Sequence, residues 1–170
     1  MHAEVLVLRV VHVLGSVLWV GTALFVSLFL VPAMGMAGAA GAPVMGALVK
    51  RRLFVVVPTV AVITMLAGFR LLWLNSTGFS ATYFASMSGR SYAAGSVLAL
   101  AGFTLFMMVN RPAIGRIVQL AQQIAQTPEA ERGPLVAHLN AARRRSARAG
   151  TIIAVLLALA AVTMAIGRYV

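Results

Sequence analysis

The chain has 170 residues, of which 61% are hydrophobic and only 10% charged, with a formal net charge of +11. Soluble domains carry about a quarter charged residues, so water is not the main solvent of this chain. Cysteine is absent, which excludes disulfides, thiolate metal sites and thiol catalysis and leaves the redox compartment unread.

Four apolar stretches, 10–31, 53–74, 91–109 and 150–166, are each near the ~17–25 residues that a helix needs to cross about 30 Å of hydrocarbon. Uninterrupted apolar runs exclude a transmembrane barrel, whose strands alternate every second residue, and leave helices as the way to satisfy backbone groups in lipid. The expected fold is therefore all-α: one membrane domain over 1–170, a four-helix bundle with an amphipathic helical hairpin at 112–149 between spans three and four.

Span one is followed by Ala37-Gly38-Ala39-Ala40-Gly41-Ala42, which resembles a signal cleavage region. The apolar run nevertheless exceeds a ~7–15-residue signal core, and Glu4 with a single arginine precedes it, so the span is expected to stay in the mature protein. Between spans two and three, residues 75–89 are rich in Ser, Thr and Gly and hold Phe79, Tyr83 and Phe84, a composition suited to an interface. In span three Gly95, Ala99 and Gly102 mark a face for close helix approach, and in span four Ala154, Ala158, Ala161 and Ala165 mark another.

Between those spans, Ile114, Ile117, Val118, Ala121, Ile124 and Ala125 recur at helical spacing, with Gln119, Gln122, Gln123 and Gln126 on the other face. The pattern predicts an amphipathic helix. Pro112 is expected to bend the chain out of span three, Thr127-Pro128-Glu129 to start a second helix, and Gly133-Pro134 to restart it towards Leu135, Leu139 and the arginines. No internal repeat is assigned.

The basic residues segregate. Lys50, Arg51 and Arg52 lie in the first loop and Arg111, Arg116, Arg132, Arg143, Arg144, Arg145 and Arg148 in the third, against Arg9, Arg70, Arg90 and Arg168 near the opposite side. The positive-inside rule then puts both termini outside and these loops in the cytoplasm of a bacterial-type inner (plasma) membrane. Membrane lipids are expected partners, at about 1 kcal/mol for each basic residue near anionic headgroups. A nucleic-acid partner is not expected; the small-residue faces are read first as bundle interfaces within one chain, with a homo-oligomer or a larger membrane complex as the alternative.

His12 is the one histidine within a span, and intramembrane ionisable residues start from a functional hypothesis. It begins a stripe of His12, Gly15, Ser16 and Trp19, in which glycine and serine would leave a recess between imidazole and indole for a flat ligand. Arg9, Arg70, Arg90 and Arg168 fall at similar depth. Imidazole can ligate iron and arginine can pair with propionates, so a b-type haem is the candidate cofactor, with His12 as metal ligand and Arg70 or Arg168 near a propionate. The competing reading makes His12 a hydrogen-bonding residue between spans and the arginines interfacial snorkellers.

Leu8-Arg9-Val10-Val11-His12-Val13-Leu14-Gly15 leading to Trp19, and Lys50-Arg51-Arg52-Leu53-Phe54 followed by Pro58, Thr64, Gly68 and Leu71-Leu72, resemble the first two helices of the HemJ-type membrane protoporphyrinogen oxidases and the related CopD-like families. The resemblance covers about half the chain and implies that His12 is a haem ligand. Members of the HemJ family carry a lysine in the third helix, whereas this region reads Gly89-Arg90-Ser91-Tyr92-Ala93-Ala94-Gly95 and Lys50 is the chain's one lysine. Oxidase activity is therefore not carried over, Arg90 being no readily deprotonated base; a CopD-like or orphan relative is the nearer placement.

The expected function is redox or haem-linked chemistry such as electron transfer. Copper handling is an alternative, since thioethers and imidazole suit Cu(I), although the nine Met are scattered and His2 stands alone near the start. The third reading is a non-catalytic accessory subunit of a larger membrane complex. The three acids, Glu4, Glu129 and Glu131, all lie outside the spans, so carboxylate proton relays are not expected.

Overall fold

The computed structural model describes residues 2–170, and all regular structure among them is helical. Helix α1 (His2–Phe25) passes through a wide turn at Val26–Leu30 into α2 (Val31–Ala37). A 3-10 turn at Gly38–Gly41 leads to α3 (Ala42–Lys50), and α4 (Leu53–Asn75) returns. After the short α5 (Ala81–Ala85) come α6 (Met87–Leu105), a second wide turn at Phe106–Asn110 and α7 (Arg111–Gln126). A 3-10 turn at Glu129–Glu131 opens α8 (Arg132–Ile166). Four helical rods, His2–Ala37, Leu53–Asn75, Met87–Gln126 and Glu129–Ile166, are long and apolar enough to cross a membrane.

Pro112 does not bend the chain out of span three as expected. The amides of Val31 and Arg111 donate to Val26 O and Phe106 O, five residues back. One residue after the donor of each of these π-turns stands a proline, Pro32 or Pro112. The wider turn accommodates the missing N–H and the ring within a continuous helix. Thr127 likewise closes α7 instead of capping a new helix: its hydroxyl donates to Gln123 O at 2.7 Å, and its carbonyl accepts from Arg132 Nε at 2.7 Å.

True starts and reversals have local causes. Ser80 and Ser86 cap α5 and α6 by accepting from Tyr83 N and Gly89 N. The reversal after α4 uses left-handed Thr77, Gly78 and Phe79, steadied by the buried Ser76 hydroxyl, which accepts from Phe79 N at 2.9 Å. Phe79 then sits edge-on to Trp73 and Phe69, at 5.0 and 5.2 Å between ring centroids.

The four rods pack as two antiparallel pairs, α1 with α4 and α6 with α8, joined chiefly by α1 against α8, while α4 and α6 barely touch. Trp19, Ala61, Ile153 and Leu157 form the core where the pairs meet. The packing face of α8 runs through Ala149, Ile153, Ala154, Leu157 and Ala160; Ala161 and Ala165, expected on it, are exposed. Further along the same rods, α7 lies along the first part of α8. Leu120 is 1% exposed there and Leu139, Ala113 and Ala149 are also buried, while the glutamines of α7 are exposed. The amphipathic helix is as expected, except that Leu120 is its anchor and Ala121 and Ala125 face outward.

The pairs share one packing scheme, and it supplies a repeat where the sequence alone assigns none. A Cβ on Gly15 would collide with Thr64 Oγ1, and one on Gly95 would stand 2.8 Å from Thr163 Oγ1. Next to each threonine contact an aromatic ring covers a glycine: His12 over Gly68, Tyr92 over Gly167. The sequence follows the same register, with Gly15-Ser16-Val17-Leu18 answered by Gly95-Ser96-Val97-Leu98, Pro32-Ala33 by Pro112-Ala113, and Thr64-Met65 with Gly68 by Thr163-Met164 with Gly167.

Candidate functional site at His12

His12 lies on the face of α1 turned towards α4, with Nδ1 2.9 Å from the Thr64 carbonyl oxygen. A carbonyl accepts only, so Nδ1 carries a proton and donates it; in the corresponding tautomer Nε2 holds the lone pair. Nε2 has no hydrogen-bond partner among the described residues. One nitrogen fixed by a carbonyl and the other free is also how proteins hold metal-ligating histidines.

Glycine at 68 makes this position possible. A Cβ there would stand 2.6 Å from His12 Cε1 and 2.8 Å from Nδ1. Thr64 is 2% exposed, and its Oγ1 has no hydrogen-bond partner. It rests instead against the bare backbone of Gly15, a close contact of the kind that Cα–H···O interactions support between membrane helices.

The recess expected beside His12 is therefore filled. Thr64 takes the space that Gly15 leaves, and Trp19 turns into the core, 7% exposed and edge-on to Phe103 with centroids 6.2 Å apart. Two shallow grooves of about 350 and 380 Å³ lie elsewhere, one between α6 and α8 and one along the outer side of α1, and neither reaches His12. On the α4 side of His12 the space is taken by Thr64, which fills the gap left by Gly15, and by Gly68, which lies against the ring.

The rim of arginines also divides. Arg70 is engaged by Glu4, whose Oε1 accepts from Nε at 2.9 Å and Nη2 at 2.8 Å in a half-exposed pair. Arg9 and Arg70 belong to the α1–α4 pair, whereas Arg90 and Arg168 belong to the α6–α8 pair, where Ser88 Oγ donates to Gly167 O and Ser91 Oγ to Thr163 O, each at 2.6 Å. Arg9, Arg90 and Arg168 are exposed. Among the described residues no three His, Cys, Asp or Glu side chains gather as a metal site. Met65 flanks the core and Met164 packs against Gly95, both as packing residues.

Sequence reasoning named His12 but not its partners Thr64 and Gly68 as such, nor Glu4 as the partner of Arg70. The signal was the repeated Thr-Met-x-x-Gly register, which has meaning only once both helix pairs are superimposed. Comparison with protein-family models, curated proteins and solved structures finds no match.

Proposed function

We propose that the chain is a four-span membrane protein with both termini outside, serving as a non-catalytic accessory subunit whose working part is the helical stalk of α7 and α8 on the cytoplasmic side. One observation carries this reading: spans three and four run without a break into that stalk. The rod Met87–Gln126 has 40 residues and its partner Glu129–Ile166 has 38, about 60 Å of helix each at ~1.5 Å per residue. That is roughly twice the hydrocarbon thickness. Several polar groups on the long helices, by contrast, bond to neighbouring backbone: His12 Nδ1 with Thr64 O, Ser91 Oγ with Thr163 O, and Thr163 Oγ1 with the Leu159 and Ala160 carbonyls. Tyr92 does over Gly167 what His12 does over Gly68, so a ring at this place needs no ligand to explain it.

A second reading keeps the free Nε2 of His12 as an axial ligand for a b-type haem held at the surface of the α1–α4 pair or between chains. The two separate cleanly. Protein purified after expression with ample haem is expected to lack a Soret band, and native membranes solubilised in mild detergent are expected to release the chain in a complex larger than its own 17.9 kDa, lost when 116–142 is replaced by a short linker. A b-type spectrum that disappears in His12→Phe would overturn the accessory reading in favour of haem.

A further inference from the structure

A groove of about 350 Å³ lies where the end of α6 and the turn after it meet α8. Its apolar walls are Leu105, Val109 and Ile152, and its rim is Arg144, Arg145 and Arg148. On α8 these arginines precede Ile152 by one to two turns, so charge and apolar wall lie in sequence along one strip of the rod. All three arginines are exposed and Ile152 is 53% exposed. None of the three has a carboxylate partner: the ion pair among the described residues is Arg70 with Glu4, and the remaining acids, Glu129 and Glu131, lie at the far end of the stalk. The turn at Phe106–Asn110 passes the groove and is pinned to α8 by Ser146 Oγ donating to Asn110 Oδ1 at 2.6 Å.

We infer that this groove binds an anionic diacylglycerophospholipid, its phosphate held by Arg144, Arg145 and Arg148 and one acyl chain lying along Leu105, Val109 and Ile152. The inference rests on the proposed topology, which puts the groove where spans three and four leave the inner leaflet. Guanidinium groups bind phosphate oxygens in a fork, with directional hydrogen bonds that an ammonium does not reproduce. The distance from Arg144 to Ile152 along α8, about 12 Å at ~1.5 Å per residue, matches a phosphate, a glycerol and the first methylenes of a chain. A soluble phosphate would have no use for the apolar wall, and a zwitterionic lipid would place its own cation against three unpaired arginines. Charge and shape both favour the anionic lipid. A ligand there would lock α6 to α8 at the point from which the stalk emerges, which is where an accessory subunit would sense its membrane.

The test uses the full chain in detergent, measured by native mass spectrometry with added phosphatidylglycerol, phosphatidylcholine or inorganic phosphate. Phosphatidylglycerol is expected to bind at least tenfold tighter than phosphatidylcholine. The variant R144Q/R145Q/R148Q is expected to lose that preference, whereas R111Q/R116Q/R143Q, with the same loss of charge outside the groove, keeps it. Val109→Trp retains every arginine and fills the wall; it is expected to expel the lipid, and it keeps the test open should the triple variant fold poorly. Equal loss in both triple variants would show diffuse attraction and overturn the site. Displacement by millimolar inorganic phosphate with no effect of Val109→Trp would show a phosphate site instead. Carbonate extraction and labelling of a cysteine placed at Gln123 test embedding and topology separately, so a failed topology is distinguishable from a failed groove.

Discussion

Gly68→Ala is the sharpest test of how the α1–α4 pair is held. The added Cβ would meet His12 Cε1 at 2.6 Å and Nδ1 at 2.8 Å, separations that real Cβ contacts do not show, so the imidazole has to move. Overpacking of this size costs about 1–3 kcal/mol. Moving the ring also breaks the 2.9 Å bond to Thr64 O, about 0.6 kcal/mol on the average for membrane helices. Replacing glycine by alanine in a helix returns roughly 0.5–1 kcal/mol, leaving a net loss of about 1–3 kcal/mol. Gly21→Ala, with nothing within 4 Å of the new Cβ, isolates the propensity gain. His12→Ala removes the obstacle, so the double variant should be more stable than the sum of the single effects predicts by about 1–2 kcal/mol. Reversible unfolding in bicelles measures all four corners of the cycle. Additivity within about 0.5 kcal/mol, the ordinary result for residues that do not touch, would refute the contact on which the reading of His12 stands.

Gly95→Ala should be at least as harmful as Gly68→Ala, because its Cβ would meet the Ala160 carbonyl at 3.2 Å as well as Met164 and Thr163; unfolding in the same bicelles checks it, with a loss of about 1–3 kcal/mol expected. Trp19→Ala should cost about 3–5 kcal/mol by opening the core between the pairs, read as a lower unfolding midpoint. Leu120→Ala, at the most buried position of the stalk, should cost about 2–5 kcal/mol there and speed amide exchange in α7 while α1 and α4 remain protected. Glu4→Gln should change stability by no more than about 1 kcal/mol, since both partners of the Arg70 pair are roughly half exposed, and 1 M salt should remove most of the difference.

Much of the architecture was legible in the residues themselves. Four apolar runs of sufficient length predict four long apolar helices, which the fold contains, because the cost of unpaired backbone in lipid leaves helix as the form of such a run. The distribution of arginines sets the expected orientation, and glutamines opposite isoleucines mark the outer face of α7, since helix periodicity is a local property. These inferences need no knowledge of neighbours. The internal duplication was legible in principle, but short matches such as Gly-Ser-Val-Leu carry little weight in an apolar background until contacts give them a common register.

The tertiary structure decided which faces meet. Along the long apolar helices no polar stripe opposes an apolar one, so the pattern that marks the buried side of α7 says little about which side of α1 or α8 is covered; close approach at small residues decides it, and that requires both helices. Gly15 looked like one wall of a recess because the sequence cannot show that Thr64 fills it. Pro112 looked like a bend because the wide turn that accommodates it is a hydrogen-bond register, not a residue type. The nitrogen of His12 that is bound and the one that is free were likewise set by the Thr64 carbonyl, a backbone atom with no side-chain signature, brought within 2.9 Å by a glycine on the facing helix.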